Sequence, residues 1–481
     1  MVLLMTETPE TLMSETQRKI GFLVCLVTIV LAVLDMQIVS AATVPIVRDL
    51  DPAHGIDTIP WLVSAFSLAS AAVLPLYGRL CDVLGAKHVF LGAVGTFLLG
   101  SALCGAAQSI GQLIAARAVQ GIGAGGLMSV TMVVIAQLRG PGERDAKGAG
   151  MGGILAGGGM AIGPWIGGML SDHASWRWIF YVNLPLGAAA LVLGALVLKL
   201  PRHGGGDRID FLGAALAAAF STALLLVTEW GGRQYAWSSP QIAGLALTSA
   251  AALALFLRRQ VTAAEPILPL SMFRIRELRW GFAIQGLVGA GMVGAIYYVM
   301  VYLQVARGMD SASAGLFLIP MALGMTAVGI VTGRLAERGR PERTFVITGS
   351  AVTAVAFLLL ATTGTHTSLW WLRAELLLLG VGFGQLIGQL IQLVQEAAPR
   401  HQLGVATTAV RFFQTLGTAL GAAVFGTLLT RLDDGTGTAS YVSAMDAVFL
   451  CGAGLMALCV ALALRLPQAA VAGPAPAPVR T

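Results

Sequence analysis

Apolar segments of about 20 residues recur along almost the entire chain, and short loops that hold most of the charged residues separate them. A helix of that length crosses the hydrocarbon core of a bilayer. Only 11% of the 481 residues are charged, whereas ordinary soluble domains carry about 25%. The mean hydropathy is +0.80. We therefore predict an all-α, multi-pass (polytopic) membrane protein with no sizeable soluble domain.

The hydropathy pattern predicts fourteen membrane spans. They cover residues 20–42, 58–77, 88–107, 112–135, 148–170, 178–199, 209–229, 241–257, 280–303, 312–333, 344–362, 369–394, 403–429 and 446–464. The segment from Pro467 onward is rich in proline and alanine and is predicted to be a disordered tail.

Basic residues are divided unevenly between the two sets of loops. One set, together with both termini, holds 22 Lys and Arg, the opposite set holds 6, and Arg117 and Arg411 lie inside spans. Because cytoplasmic loops carry the excess of Lys and Arg, both termini are predicted to be cytoplasmic. The expected location is the cell membrane. The net charge of +6 reflects this asymmetry and does not indicate nucleic-acid binding.

Two loops resemble each other, which suggests an internal repeat. The sequence YGRLCDVLGAKHVF (77–90) follows the second span and TGRLAERGRPERTF (332–345) follows the tenth, and both contain GRL, an acid and basic residues. Transporters are commonly built from two related halves, so we predict two six-helix bundles plus an inserted helix pair. The alternative is that the loops share only a topology signal. The predicted domains are an N-terminal bundle (1–200), the inserted pair (201–260), a cytoplasmic connector (261–278), a C-terminal bundle (279–466) and the tail (467–481).

Five stretches resemble the motifs of one family, in the family's order. They are LDMQIV (34–39), GRLCDVLGAK (78–87), RAVQGIGAGG (117–126), GGILAGGGMAIGPWIGG (152–168) and WRWIFYVNLPLG (176–187). The chain thus resembles the major facilitator superfamily, specifically its fourteen-helix drug:proton antiporter branch, although Ala86 stands where a basic residue is common. The resemblance implies that the protein exports amphiphilic drugs or antibiotics by alternating access, in exchange for protons, without covalent chemistry.

Asp35 is the acid that lies deepest in a predicted span. It follows Ile20 by 15 residues, or about 22 Å along a helix, whereas the rest of the 24 acids fall in loops or nearer to span ends. Burial opposes ionisation of a carboxylate and a nearby cation favours it, so such a group can respond to both a proton and a substrate. The resemblance implicates Arg117 of the fourth span in proton coupling. The alternatives are an acid that only pairs with a neighbouring donor and an arginine that only braces helices.

The loop after the second span is predicted to act as a conformational latch. Arg79, Asp82 and Lys87 lie at helix ends, where charge pairs and helix dipoles can stabilise one conformation. The resemblance adds Gly78 and Gly85 to the motif. The alternative is that these charges serve only as a topology signal.

The fifth span is predicted to be a gating helix. Its glycines Gly159, Gly163 and Gly167 recur at four-residue steps, which lets helices approach closely. Pro164 invites a kink. The resemblance assigns this element to an interface that seals and opens, and simple helix packing is the alternative.

Polar side chains in the spans predict a substrate cavity, because polar groups are costly against lipid. Gln385, Gln389 and Gln392 share one face of the twelfth span, where hydrogen bonding between helices is the alternative. The full set of cavity candidates is Gln120, Tyr298, Tyr302, Gln304, Gln385, Gln389, Gln392 and Arg411.

Other chemistries find little support in the sequence. There is no GxxxxGK[ST] ATP-binding sequence, the five cysteines show no metal-binding spacing, and the G-x-G-x-x-G at 121–126 lies in an apolar helix rather than a βαβ unit. We expect no metal, no cofactor and no enzymatic activity. The expected partners are a small amphiphilic substrate, protons and the lipid bilayer, with the protein acting as a monomer. The alternatives are an exporter dedicated to one metabolite or self-made antibiotic, and a non-transporting membrane receptor or scaffold.

Overall fold

The computed structural model describes residues 13–50, 59–138, 169–170, 173–200, 210–232, 234–309, 311–433 and 437–467. These residues are almost entirely helical. Their α-helices are α1 Glu15–Leu50, α2 Ile59–Leu84, α3 Ala86–Ala106, α4 Ile110–Leu138, α5 Trp178–Tyr181, α6 Asn183–Val197, α7 Phe211–Trp230, α8 Pro240–Thr262, α9 Arg276–Val293, α10 Val299–Val305, α11 Ser311–Leu316, α12 Ile319–Glu337, α13 Glu342–Leu360, α14 Leu369–Ala397, α15 Leu403–Leu432 and α16 Thr438–Ala463. A π-helical turn, Gly294–Tyr298, joins α9 to α10, and 3-10 turns span Leu270–Arg274 and Arg400–Gln402.

In the described part of the chain, thirteen helical segments are long and apolar enough to cross a membrane. Each coincides with one of the fourteen predicted spans, which confirms the all-α membrane fold. The other prediction, the fifth span at 148–170, falls almost wholly outside the described residues. The gating candidates Gly159, Gly163, Pro164 and Gly167 also lie outside them.

Some helices extend beyond the predicted apolar segments. Helix α1 continues to Leu50 and passes through Pro45, although the prediction ended the span at residue 42. Helix α16 begins at Thr438 rather than at residue 446. Hydropathy marks the apolar run, whereas the backbone hydrogen bonds of a helix continue into polar residues outside it.

The helices form two bundles, each with its own apolar core. In the N-terminal bundle α4 packs against α2 and α3, and α6 packs against α1 and α3. In the C-terminal bundle α14 packs against α12 and α13, and α15 packs against α9 and α16. Fully buried rings anchor the cores, Phe90 and Phe97 in the first and Phe357 and Phe383 in the second. The two bundles meet mainly along α2 and α15.

The first and last helices have their chain termini on the same side of the bundles. Gly21 of α1 lies beside Leu138 and Leu198, at the ends of α4 and α6. At the other bundle, the Arg276 guanidinium at the start of α9 donates to the carbonyl of Arg465, just after α16, at 3.4 Å. We call this the terminal side of the protein.

The inserted pair, α7 and α8, lies beside the contact between the bundles. The two helices pack against each other, and α7 also packs against α2 and α15. An apolar cluster joins all three parts through Leu74 of α2, Phe220 of α7, Ala252 of α8 and Phe412 of α15. The ring centroids of Phe220 and Phe412 are 6.4 Å apart. The inserted pair therefore contacts both bundles.

Candidate functional site

The Asp35 carboxylate lies at the centre of a buried polar network in the N-terminal bundle. It is 0% exposed. Its Oδ2 accepts a hydrogen bond from Arg117 Nη1 at 3.0 Å. Its Oδ1 accepts from Gln120 Nε2 and from Asn183 Nδ2, both at 2.8 Å. Side chains of α4 and α6 thus converge on one acid of α1, and Arg117 reaches Asp35 because α1 packs against α4.

Arg117 is fixed in place by more than its ion pair. Its Nε donates to the Leu62 carbonyl of α2 at 3.1 Å, and its Nη1 donates to Gln120 Oε1 at 2.8 Å. The guanidinium carbon lies 4.1 Å from the ring centroid of Phe66, a cation–π contact. Burying an ion pair is costly unless its remaining hydrogen-bonding groups are satisfied, and these contacts serve that purpose.

Ser101 of α3 links the side chains that contact Asp35. Its hydroxyl accepts hydrogen bonds from Asn183 Nδ2 at 3.0 Å and Gln120 Nε2 at 3.3 Å, and it donates to the Phe180 carbonyl at 2.9 Å. Helix α3 approaches α4 closely here because Gly100 has no side chain; a Cβ at this position would lie 2.4 Å from the backbone nitrogen of Gln120.

The RAVQGIGAGG segment of α4 combines polar chemistry with close packing. Arg117 and Gln120 face Asp35, while a Cβ on Gly121 would lie 2.3 Å from the Phe66 carbonyl oxygen and one on Gly123 would lie 2.3 Å from the Phe97 nitrogen. The glycines therefore allow α2 and α3 to pack against α4, and their spacing has no connection with a dinucleotide site.

The network is built for the ionised form of Asp35. The three atoms that contact the carboxylate are the guanidinium nitrogen of Arg117 and the amide nitrogens of Gln120 and Asn183, all of which are donors only. A protonated carboxyl group would carry an O–H donor that none of these atoms can accept. Protonation of Asp35 would therefore remove the charge on which these three donors converge and place an O–H group against donor atoms.

The predicted latch joins the two bundles at the terminal side. Asp82 accepts hydrogen bonds from the backbone N–H groups of Gly404 at 2.8 Å and Val405 at 3.0 Å, so it caps the N-terminus of α15. A negative charge is favourable at that end of a helix. Gly78, one turn earlier on α2, permits the approach, since a Cβ there would lie 2.0 Å from Thr408 Oγ1.

The other two charged latch residues have partners on two different elements. The buried Arg79 forms a short ion pair with Glu265, in the connector between α8 and α9. Lys87 donates to the Ala195 carbonyl, near the C-terminal end of α6, at 2.7 Å. Gly85 has a φ of 85°, in the left-handed region that favours glycine, and turns the chain between α2 and α3.

The glutamine face of α14 is buried in the C-terminal bundle. Gln385, Gln389 and Gln392 are 8%, 1% and 9% exposed, so they share one inward face as the sequence predicts. Gln385 accepts from Thr348 Oγ1 at 2.7 Å and donates to Val381 O at 3.2 Å. Among the described residues neither amide atom of Gln389 has a hydrogen-bond partner. The same holds for Gln285 of α9, which is 0% exposed and which the sequence analysis missed.

Among the remaining cavity candidates, the two tyrosines contact other elements in this conformation. Tyr298 OH donates to the Ala422 carbonyl at 3.4 Å, and Tyr302 OH lies 3.2 Å from the carbonyl oxygens of Thr363 and Gly364. Gln304 is half-buried. The half-buried Arg411 donates to Gln414 Oε1 of the same helix at 2.9 Å. Their part in substrate binding stays a prediction.

Asp35 lies deepest in a predicted span, but it is not the only deeply buried acid among the described residues. Glu375 of α14 is 1% exposed. Thr363 Oγ1 lies 2.9 and 3.1 Å from its two carboxyl oxygens. Position along the predicted span does not reveal this burial, because the loop that contains Thr363 folds over α14.

Asn183 and Ser101 are members of the Asp35 network that sequence reasoning missed. Asn183 stands in the quoted WRWIFYVNLPLG stretch, where a lone amide just inside a span is the signal that could have identified it. Ser101 carries no such signal, because a serine in a span commonly bonds to its own helix.

Comparison with known proteins identifies the family. Residues 25–422 match the model of the Major Facilitator Superfamily. The chain belongs to this superfamily. It is 33% identical to the multidrug transporter protein MdtP of Bacillus subtilis over 417 residues, which are 86% of this chain and 76% of that protein. It is also 34% identical to an uncharacterised MFS-type transporter of Mycobacterium tuberculosis over 423 residues, which are 88% of this chain. The match spans only 61% of the length of the mycobacterial relative.

The fold agrees with this family. The human organic anion transporter MFSD10 superimposes with a TM-score of 0.68 over 93% of this chain and 99% of the human chain, at 18% sequence identity. The Asp35 network and the Asp82 cap are therefore features of a chain that belongs to the Major Facilitator Superfamily and has its fold.

Proposed function

We propose that this protein is a proton-coupled exporter of amphiphilic drugs or antibiotics, of the fourteen-helix drug:proton antiporter branch. The multidrug transporter name of its Bacillus relative supports drug export, and the thirteen described spans with an inserted pair support the branch. The protein would act in the cell membrane with both termini in the cytoplasm. The terminal side, where Asp82 caps α15, would then be the cytoplasmic side.

The observation that carries the proposal is the donor-only environment of Asp35. A proton on this carboxyl removes the charge that holds Arg117 and introduces an O–H donor that none of the three atoms now contacting the carboxylate can accept. The ionised and protonated forms of Asp35 therefore favour different arrangements of α1, α4 and α6. A ligand, here a proton, shifts a conformational equilibrium by this kind of differential stability.

These contacts support an order of events. With the cytoplasmic side closed by the Asp82 cap and Asp35 ionised, the protein is ready to accept a proton from the outside. Protonation loosens the network around Arg117 and permits the cytoplasmic side to open. The proton then leaves towards the cytoplasm as substrate binds. Export of substrate and import of protons follow from one cycle of alternating access.

The polar groups in the C-terminal bundle bear on the substrate. Among the described residues, the buried Gln285 and Gln389 have amide groups without hydrogen-bond partners, and Arg411 adds a positive charge on α15. Such groups suit an amphiphile with hydrogen-bonding groups. Neutral and anionic compounds are therefore included beside lipophilic cations.

The test uses purified protein in proteoliposomes that contain a pH-sensitive dye. A panel of cationic, neutral and anionic amphiphiles is added under an imposed proton gradient. The proposal predicts that at least one compound stimulates proton movement, that a protonophore abolishes the effect, and that expression in a host without its own pumps confers resistance to the same compound. Absence of compound-stimulated proton movement across the whole panel would overturn the proposal.

A further inference from the structure

We propose that Glu265 is a positioning residue of the latch, through which the connector and the inserted helix pair hold the terminal side closed. Its carboxylate forms a short ion pair with Arg79 of α2. Arg79 lies three residues before Asp82, on the neighbouring turn of the same helix. The inference concerns the conformational equilibrium of the transporter and does not depend on which substrate it carries or on proton coupling.

The connector is attached to the C-terminal bundle. Its residues Leu268 and Met272 are buried in one apolar cluster with Phe282 of α9 and with Val405 and Ala409 of α15. Ala217 of α7 and Phe256 of α8 belong to the same cluster. Leu268 and Met272 are thus packed on the half of the protein that α2 must leave when the terminal side opens.

Hydrogen bonds fix the shape of the connector. The Gln260 side-chain oxygen near the end of α8 accepts from the Leu268 backbone N–H at 2.9 Å, which folds the connector back onto α8. Asp210 caps the start of α7 and accepts from Arg259 Nε at 3.0 Å, which ties α7 to α8 on the same side. Glu265 lies within this fixed segment and has little freedom to follow Arg79.

Two contacts made by charged side chains cross the bundle interface in opposite directions. Asp82 reaches from the N-terminal bundle to the first backbone amides of α15, in the C-terminal bundle. Glu265 reaches from the C-terminal side to Arg79 of the N-terminal bundle. Separation of α2 from α15 must break the Asp82 contact, and it breaks the Glu265–Arg79 pair as well when the connector stays packed on α9 and α15. The Arg79 side chain is 7% exposed and that of Glu265 is 41% exposed, so the pair is partly shielded from solvent.

The test measures the width of the terminal side directly. Spin labels are attached at His88, at the start of α3, and at Arg340, between α12 and α13, both of which are exposed. The five native cysteines are replaced by alanine, and the distance distribution is recorded by pulsed electron resonance in lipid nanodiscs. Neither a substrate nor a proton gradient is present.

Glu265→Gln is expected to increase the ratio of open to closed populations about two- to fivefold, the range for a partly exposed ion pair. Glu265→Asp keeps the charge and should give a smaller shift in the same direction. Glu277→Gln is the matched control, because Glu277 is a half-buried acid on the same side with no ion pair among the described residues, and it should leave the distribution unchanged.

A double-mutant cycle separates pairing from general loosening. If Glu265 acts through Arg79, Glu265→Gln has no further effect in the Arg79→Gln protein. Equal shifts in both backgrounds, or a wild-type distribution in Glu265→Gln, would overturn the proposal. If Glu265→Gln does not yield a monodisperse protein, Glu265→Asp takes its place, and an unchanged distribution in that variant would contradict the proposal. If Glu265→Gln shifts the distance distribution but the protein transports no drug, the proposed function is contradicted and this inference stands.

Discussion

The amide of Asn183 and the carboxylate of Asp35 lie 2.8 Å apart, although 148 residues separate them in the chain. The same amide nitrogen also donates to Ser101 at 3.0 Å. Asn183 therefore joins α6 and α3 to the acid of α1. This contact makes α6 a part of the candidate coupling site.

We expect Asn183→Ala to loosen the Asp35 network and to lower drug-stimulated proton flux. Asn183 Nδ2 donates to both Asp35 and Ser101, and a hydrogen bond to a charged group contributes about 1.5–3 kcal/mol. The flux is measured as initial rates in proteoliposomes, and the thermal stability of the purified variant is measured beside it. Unchanged coupled flux with reduced protein stability would mean that Asn183 serves packing alone.

Gly78 and Gly92 form a matched pair of glycines for testing the closed latch. A Cβ at Gly78 would lie 2.0 Å from Thr408 Oγ1, whereas one at Gly92 meets nothing within 4 Å. We expect Gly78→Ala to separate α2 from α15 and populate the open terminal side, while Gly92→Ala leaves it closed. The distance between spin labels at His88 and Arg340 shows whether the terminal side is open or closed. If the terminal side stays closed in Gly78→Ala, the close approach of α2 to α15 at Gly78 is contradicted.

Gln389 offers a test that separates stability from substrate binding. Leaving a buried polar group without a partner costs about 1–3 kcal/mol, so we expect Gln389→Leu to raise the thermal stability of the empty protein and to impair transport. Gln385→Leu is the control, because Gln385 bonds to Thr348 and Val381, and its replacement should lower stability. Thermal unfolding in detergent and transport assays check both. If Gln389→Leu unfolds at a lower temperature, the amide has a structural partner.

Much of the fold could be predicted from the sequence, because apolar runs and helix periodicity are local features. The span positions and the glutamine face of α14 follow from residue type and periodicity. The contact between Asp35 and Arg117 does not, because it depends on whether α1 and α4 pack together. The partner of Asp82 could not be predicted, since it is the backbone of Gly404 and Val405, more than 300 residues away.

Other contacts depend on how loops fold over helices. Glu265 lies in a charged connector that the sequence marks as solvent-exposed, and only the tertiary fold brings it to Arg79. Glu375 is near a predicted span end, and the fold buries it beneath Thr363. Hydropathy is averaged over residues that are neighbours in the sequence. It therefore does not detect burial by a segment that is distant in the chain.

Proton coupling through Asp35 is tested most directly by removing its charge. The measurement is drug-stimulated proton flux in proteoliposomes for Asp35→Asn, with Glu375→Gln as a control that neutralises an equally buried acid outside the network. The account predicts that flux in Asp35→Asn falls to that of empty liposomes, while Glu375→Gln retains it. Intact coupled flux in a folded Asp35→Asn protein would contradict the account.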